Sequence, residues 1–349
     1  MGETLFAAPW LQGLGLVLAT LLILTVMLDV FITVFSPNGA GPFTGFWTGC
    51  SWNLLLRMHD RRPIHRVLSH TGPALLFLTI LFWYGLLTLG FWFIFSLYPG
   101  SVQQSPGPLP TSALDKLYFV STTLSSLGYG DMLPNGFPWS VIGTLGTFIS
   151  TLVLTISLSY VLAVLSAAIE RRTLARNIAA LGATPEAVID NAHLNQHAGS
   201  SPLQSHLMTL SGQIHEQGFK QNAYPILKFF HPTSADSSLT CALLLLADTC
   251  FLLRMAHPDA QPSAGALRLV ENAIDHFRQK NRLQGSPRVA IAQDHQMREL
   301  LATVASMDSA MQGGKASVST VESYRQARKK LLELCHDDGW YPRLSRPGL

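Results

Sequence analysis

Charged side chains are scarce in this sequence, and their scarcity indicates its broad class. Asp, Glu, Lys and Arg make up 13% of the 349 residues, about half their share in an average soluble domain. Hydrophobic residues make up 48%. The net charge of +3 is too small to indicate nucleic acid as a partner. The composition is therefore typical of a chain that contacts a lipid bilayer.

Several signatures of other protein classes are also missing. The four cysteines include no CxxC pair, which argues against a zinc site or a disulfide framework. No GxGxxG follows a strand-like run, so a nucleotide-binding regulatory domain is not indicated. No apolar run carries a periodic row of arginines, as a voltage sensor would. No nucleophile–base or metal constellation stands out, so we expect neither an enzyme nor a resident cofactor.

The few charges are concentrated in the second half of the chain. Residues 1–169 hold five of the 24 Lys and Arg residues and five of the 21 Asp and Glu residues. Three apolar runs in this half exceed the roughly 20 residues that a membrane-spanning helix needs. They are Leu11–Phe35, Ala74–Tyr98 and Phe137–Ile169. The first run is too long for a signal-peptide core and follows no basic residue, so we expect a retained span.

The basic residues between these runs predict the topology. Residues 1–10 contain no Lys or Arg, loop 36–73 contains four, and loop 99–136 contains only Lys116, while three arginines follow the third run soon after. Basic loops stay in the cytoplasm. The sequence therefore predicts a multi-pass protein of the cell membrane, with the N-terminus and loop 99–136 outside and the C-terminal half in the cytoplasm.

Two features of the first span and of the following loop suggest contacts at the inner membrane surface. Apolar residues between Phe43 and Leu54 recur every three or four positions, which predicts a short helix in the interface. Asp29 lies about two turns before the end of the first run, and an ionisable group within a span is a functional hypothesis by default. The interpretation that we favour is structural: Asp29 faces the inner interface or pairs with an arginine of the basic loop.

The outer loop contains a helix that is too short to span. Residues 99–111 are rich in Pro, Gly and Ser and are predicted to be irregular. Residues 112–125 are predicted to be helical, with Ser112 and Asp115 forming a capping box. About 13 residues at 1.5 Å each extend roughly 20 Å, which fits a re-entrant helix that enters from outside and stops midway.

The stretch SLGYG, residues 126–130, must bring the chain back outward. Irregular backbone at membrane depth is tolerated only where it is buried or lines a wet cavity. Gly128 and Gly130 can adopt positive φ, in alternation with the residues between them. Such alternation lets successive carbonyls point the same way, and stacked carbonyl rings can replace the hydration shell of a cation. The C-terminal end of the preceding helix also favours a cation.

These features resemble the pore module of potassium channels of the bacterial-like type with two spans and a pore loop. The resemblance covers Ala74–Ile169, with an outer helix at 74–98, a pore helix at 112–125, a filter at 126–130 and an inner helix at 137–169. The family filter Thr-Val-Gly-Tyr-Gly corresponds to Ser-Leu-Gly-Tyr-Gly here. The resemblance implies that K⁺ is the permeant ion, bound by the backbone carbonyls of Ser126, Leu127, Gly128 and Tyr129.

The same resemblance implies supporting roles for residues around the filter. The ring of Tyr129 is expected to face away from the pore axis and to pack against Tyr118 and Phe119. Thr122 stands where some members have a glutamate that faces the aspartate after the filter. That aspartate is Asp131 here, so the pair of carboxylates is absent.

Two departures from the family pattern bear on selectivity. Ser126 replaces threonine and lacks the methyl group that stiffens its side chain. Leu127 replaces valine and puts a larger group behind the filter. Neither change removes a carbonyl, so a potassium-selective channel is the leading hypothesis. A weakly selective cation channel is the close alternative, and a non-conducting membrane scaffold or sensor is the distant one.

One chain supplies one pore loop, so a closed filter requires four chains in a ring, with the third span innermost. That span carries hydroxyl side chains suited to the wall of a wet cavity, at Thr144, Thr147, Ser150 and Thr151. Hydroxyls in membrane helices also commonly bond to their own backbone. The sequence favours neither role.

Residues 170–349 are predicted to form a helical cytoplasmic domain. Helices are expected near 185–194, 202–218, 236–256, 264–284, 287–311 and 318–336. The apolar run Leu239–Leu253 is too short to span and is predicted to be the buried core helix of a bundle. The predicted organisation is an extra N-terminal span at 1–36, a loop with an interfacial helix at 37–73, the pore module at 74–169 and this domain. The sequence indicates no particular ligand or protein partner for it.

Overall fold

The fold is almost entirely helical, as the sequence predicts. A computed structural model describes residues 8–36, 39–61, 64–105, 107, 111–193, 202–255, 262–279, 293, 296–302 and 318–340. In these residues the strands form a single two-stranded sheet. Three of the described helices are long and apolar enough to cross a membrane: Pro9–Phe35, His65–Leu97 and Trp139–Ala179. The all-α membrane fold is therefore confirmed.

The first half of the chain contains five helices and the two strands. In chain order they are α1 (Pro9–Phe35), α2 (Pro42–Arg61), α3 (His65–Leu97), β1 (Val102–Gln104), α4 (Ala113–Leu124), β2 (Met132–Pro134) and α5 (Trp139–Ala179). The second half contains α6 (Pro185–His193), α7 (Pro202–Ala223), α8 (Leu239–Met255), α9 (Ala264–Gln279) and α10 (Val318–Asp337). Short 3₁₀ turns lie at Pro99–Ser101, Pro225–Phe229 and Ala235–Ser237.

Contacts divide the chain into two units, and the division separates neighbouring parts of α2, α3 and α5. The first unit contains residues 1–49 and 73–164, and the second contains 50–72 and 165–349. Most of the described residues in the predicted loop 36–73 are helical, because α2 occupies Pro42–Arg61 and α3 begins nine residues before the predicted span. Close packing at Gly72 is part of the reason that α3 begins earlier than predicted. Gly72 approaches Phe230 so closely that a Cβ there would lie 2.7 Å from the ring. Packing within the second unit thus supports helix on the N-terminal side of Pro73.

The core of the first unit is built from α1, α3, α4 and α5. Trp83, Leu87 and Phe95 of α3 are almost completely buried, and the rings of Phe95 and Phe119 meet edge to face at 5.1 Å. Large apolar side chains on the other faces of the three long helices are exposed in the single chain. That pattern is expected for helices that face lipid or further subunits.

Helix α8 is the core of the second unit, and this confirms the prediction for Leu239–Leu253. Fourteen of its 17 residues are buried, and α6, α9 and α10 all contact it. The predicted helix at 264–284 is described as far as Gln279, and residues 280–284 lie outside the described residues. The predicted helix at 287–311 also lies mostly outside them, although 296–302 are helical.

A buried ion pair joins α8 to α10. The guanidinium of Arg328 donates to both carboxylate oxygens of Asp248, at 2.8 and 3.0 Å, and also to Gln296. The hydroxyl of Tyr324 donates to the same carboxylate at 2.5 Å. Burial raises the pKa of Tyr324 well above 10, so its hydroxyl keeps the proton that it donates. Every polar group of this cluster thus has a partner, as a buried charge requires.

Three histidines pack together in the second unit. His231 Nδ1 lies 2.6 Å from the carbonyl oxygen of Asp338, which can only accept, so Nδ1 carries the proton. His231 Nε2 then accepts from Nδ1–H of His65 at 3.0 Å. His59 Nδ1 accepts from the Ile64 backbone, so its Nε2–H donates to the Gly339 carbonyl oxygen. This arrangement requires His59 and His231 to be neutral, because a second proton on either ring would face another N–H.

We expect this cluster to make the second unit less stable in acid. Burial lowers the pKa of His231 to about 4, whereas an unfolded histidine titrates near 6.5. Between these values the unfolded chain binds more protons, so the free energy of unfolding falls as the pH falls from 6.5 towards 4. The loss is on the order of 2 kcal/mol once solvent screening is allowed for. Repulsion from His65, His59 and the nearby Arg172 also lowers the pKa of His231 and so adds to this loss of stability.

The test compares the wild-type chain with His231→Gln, whose side chain does not titrate. The unfolding temperature of the purified full-length protein should drop between pH 7.5 and pH 5, and the drop should be smaller in the variant. Burial raises the pKa of Asp338, which acts in the opposite direction, but that effect is common to both proteins. An equal drop in both would exclude His231 as the titrating group.

Candidate functional site

The helix that leads into the site, α4, is fixed at its start by polar contacts. The Ser112 hydroxyl accepts from the Asp115 backbone, and the Asp115 carboxylate accepts from the Ser112 backbone at 2.8 Å. This confirms the predicted capping box. The ammonium of Lys116, 3% exposed, donates to the carbonyls of Phe95 and Tyr98 at the end of α3. The sequence did not predict this contact, although a single lysine in a helix expected to enter the membrane was a usable signal.

The filter segment, residues 126–130, has alternating backbone conformations. Ser126, Gly128 and Gly130 have φ of 62°, 51° and 82°. The sequence predicted positive φ at the two glycines, and it missed Ser126, which is the only described non-glycine residue with positive φ. Leu127 and Tyr129, between them, do not have positive φ.

The N–H groups of the filter segment bond back to the end of α4. The Ser126 N–H donates to the carbonyl of Thr123, and the N–H groups of Leu127 and Gly128 both donate to the carbonyl of Thr122, at 2.9 and 3.2 Å. Within the described part of the chain, by contrast, the carbonyl oxygens of residues 126–129 accept no hydrogen bond. The segment therefore directs its first three N–H donors into the protein and keeps a series of carbonyls available.

Helix α5 packs its hydroxyl side chains against the end of α4. The Ser150 hydroxyl, 1% exposed, donates to the carbonyl of Leu124 at 2.7 Å, and Thr147 donates to the carbonyl of Thr123 at 3.2 Å. Both hydroxyls thus hold the helix end that carries the filter segment. Thr144 and Thr151 are exposed in the single chain, and Thr144 donates to its own helix at Ser140.

The predicted supporting residues surround the filter segment in different ways. The hydroxyl of Tyr118 lies near the carboxylate of Asp131, so α4 is close to the residue after the filter. Phe119 is buried against Phe95 rather than exposed beside the filter. The Tyr129 side chain is 68% exposed in the single chain. Thr122 acts through its carbonyl, as described above, while its hydroxyl donates within α4.

A small sheet anchors the chain beyond the filter. Strand β2 pairs antiparallel with β1, with Gln103 opposite Leu133, and the Ser105 N–H donates to the carbonyl of Asp131 at 2.9 Å. The sequence predicted residues 99–111 to be irregular, which is wrong for 102–104. Three residues are too few for an alternating pattern to indicate a strand.

Asp29 is an internal anchor of the first unit. Its carboxylate, 1% exposed, accepts from the backbone of Phe43 and Thr44 at the start of α2. It also accepts from the Thr44 hydroxyl at 2.5 Å and from the indole of Trp83 at 2.9 Å. An anion is favoured at a helix N-terminus. Among the described residues no arginine pairs with it, in contrast to the arginine partner suggested from the sequence.

Comparison with known proteins finds a family to which this region is similar. Residues 77–170 match the model of a family described as "Ion channel".

This part of the chain is similar to an ion-channel family.

The matched residues contain most of α3, all of α4 and the filter segment, and most of α5, so the match covers the filter and its surroundings but not Asp29 and its partners in α2. The resemblance stated from the sequence is therefore confirmed at the level of an ion-channel family. The chain is also similar to the uncharacterized membrane protein YdjJ of Bacillus subtilis (strain 168). The two are 29% identical over 266 residues, which are 75% of this chain and 77% of the relative. No solved structure matches the chain.

Proposed function

We propose that the protein is a potassium-selective channel that conducts K⁺ passively through a homotetrameric pore. The filter segment of each chain supplies one wall of the filter, Ser126 to Gly130. The observation that carries this proposal is the backbone of that segment. It has positive φ at alternate residues, its first three N–H groups bond inward to α4, and the carbonyls of residues 126–129 have no partners among the described residues.

This geometry suits a dehydrated cation. Carbonyl oxygens from several chains can replace the hydration shell of K⁺ without a charged side chain in its path. The C-terminal end of α4, at Leu124, carries partial negative charge and is two residues from the filter segment. K⁺ is in this account the substrate of transport, and no cofactor is required.

The exposed side chains of the filter segment support an assembly of several chains. In the single chain Leu127 and Tyr129 are 60% and 68% exposed, and a segment whose carbonyls lack partners cannot face lipid, so these residues are expected to pack against protein. Three further copies around a four-fold axis would supply such partners and close the ring. The charge distribution supports an N-terminus outside the cell and a C-terminal half in the cytoplasm.

A weakly selective cation channel is the second candidate, and Ser126 and Leu127 favour it. Serine at the innermost position lacks a stiffening methyl group, and Leu127 makes few contacts within its own chain, as its exposure indicates. A looser filter would discriminate less between K⁺ and Na⁺. Both candidates require conduction, whereas a scaffold or sensor does not.

The first test is ion flux through the purified full-length protein. Liposomes loaded with K⁺ and containing the protein should release K⁺ down its gradient when the charge is balanced by a proton carrier. Empty liposomes are the control. The same measurement with a Na⁺ gradient separates the two candidates, because flux of both ions at similar rates favours the weakly selective pore. If neither ion is released, the proposal is contradicted, and the non-conducting scaffold or sensor is the hypothesis that remains.

A further inference from the structure

A cavity in the second unit has the chemistry of an anion site. Its volume is about 250 Å³, and it opens between the C-terminal part of α5 and the segment that connects α7 to α8. The lining residues are Ile169, Arg172, Thr173, Arg176, Pro232, Thr233 and Ser237. They include two arginines and three hydroxyl residues but no carboxylate. A cavity of this size is below the roughly 300–1,000 Å³ typical of sites for drug-sized ligands, so a small group fits it better.

The two arginines of this cavity differ from the arginine beside them. Arg171 points into the protein and donates to the carboxylate of Asp338 at 3.0 Å, so its charge is balanced. Arg172 and Arg176 lie one helical turn apart on the exposed side of α5. No carboxylate of the described residues pairs with either of them. The cavity therefore presents two positive charges that the rest of the unit does not neutralise.

One of the two guanidinium groups is already held in place. The Nε–H of Arg176 donates to the hydroxyl of Ser237 at 3.1 Å, and Ser237 is itself only 7% exposed. The terminal nitrogens of Arg176 remain available as donors. The Thr173 hydroxyl is used, because it donates to the carbonyl of Ile169. Two lining hydroxyls can still donate to a ligand. One is that of Thr233, and the other is that of Ser237, which accepts from Arg176 and also contacts the Ser234 hydroxyl.

We propose that this cavity binds a phosphate group. A planar guanidinium donates two parallel hydrogen bonds to a phosphate or a carboxylate. Two guanidinium groups and two hydroxyls offer more donors than the two oxygens of one carboxylate can accept, whereas a phosphate monoester has three terminal oxygens and close to two negative charges at neutral pH. The donor number and the charge both match phosphate.

The phosphate group has two possible sources, and they share this chemistry. One source is a free phosphate from the cytoplasm, and the other is a phospholipid headgroup that ends in a phosphate monoester, as in phosphatidic acid. Ile169, an exposed apolar residue at the edge of the cavity, is the last residue of the third span predicted from the sequence. The test therefore includes a soluble and a lipid ligand.

The experiment measures binding to the full-length protein in a non-ionic detergent by isothermal titration calorimetry. The probes are inorganic phosphate and dioctanoyl phosphatidic acid, with dioctanoyl phosphatidylcholine, a phosphodiester with no net charge, as the control at constant ionic strength. The double variant Arg172→Gln, Arg176→Gln should weaken binding at least tenfold. Thr233→Val, which retains shape and both charges, should weaken it by a smaller factor of a few-fold. Arg268→Gln, which changes an exposed arginine of α9 outside the cavity, should have no effect.

The outcomes separate the sources and can overturn the proposal. Variant-sensitive binding of both probes assigns the site to phosphate in general, and variant-sensitive binding of phosphatidic acid alone assigns it to a lipid headgroup. Absence of binding by either probe overturns the proposal. An equal loss in Arg268→Gln and in the double variant also overturns it, because charge alone would then explain the binding. The readout is independent of ion flux, so its failure is distinct from a failure of the channel function.

Discussion

Gly128→Ala is expected to reduce K⁺ flux to the level of empty liposomes. Gly128 has φ of 51°, a conformation that costs an L-residue about 1–2 kcal/mol. A tetramer would carry this strain four times in one ring. The backbone can relieve the strain only by rotating, and that rotation turns the carbonyls of the filter segment away from the pore axis. The measurement is K⁺ efflux from liposomes that contain equal amounts of purified wild-type or variant protein.

Gly85→Ala is the matched control for this variant. Gly85 lies within α3, and a Cβ there would meet no atom within 4 Å. Alanine is also the better residue in a helix, by about 0.5–1 kcal/mol. The control should conduct like the wild-type protein. Normal K⁺ efflux in Gly128→Ala, with the control also normal, would mean that residues 126–130 do not form the conduction path.

Arg328→Met is expected to give the largest loss of stability, about 3–5 kcal/mol, because it leaves the carboxylate of Asp248 buried without its charge partner. The side chains of Arg328 and Asp248 are 0% and 2% exposed, so water cannot take over the lost bonds. The expected result is a markedly lower unfolding temperature of the purified full-length protein. Arg268→Met, at an exposed position on α9, is the control and should change the unfolding temperature little.

A combined variant tests the physical reason for this loss. Removal of the whole polar group, with Asp248→Leu, Tyr324→Phe and Arg328→Met together, leaves no buried charge without a partner. Replacement of a buried ion pair by apolar groups of similar volume is often close to neutral, so much of the stability should return. A triple variant less stable than Arg328→Met alone would show that packing, rather than the unpaired carboxylate, determines the cost.

The sequence predicted those features that depend on local chemistry. The three long helices follow from apolar length, and the start of α4 follows from the capping pair Ser112 and Asp115. The buried core helix α8 follows from an apolar run that is too short to span. The positive φ of Gly128 and Gly130 follows from the freedom of glycine. Each of these signals lies within a few adjacent residues.

The sequence did not predict contacts between distant residues. Trp83 donates to Asp29 across 54 positions, and Arg171 donates to Asp338 across 167. Composition and periodicity do not indicate which polar side chains become partners, because that choice depends on how the helices pack. The helical character of residues 55–61 and 65–72 was missed for the same reason, since its support comes from the distant residues of the second unit.

The reversal potential of the reconstituted protein in a planar bilayer tests the central claim most directly. With K⁺ on one side and an equal concentration of Na⁺ on the other, a filter made from the carbonyls of residues 126–129 should shift the zero-current voltage strongly towards the K⁺ equilibrium potential. A zero-current voltage close to 0 mV would contradict K⁺ selectivity, because it would mean that the pore does not distinguish K⁺ from Na⁺.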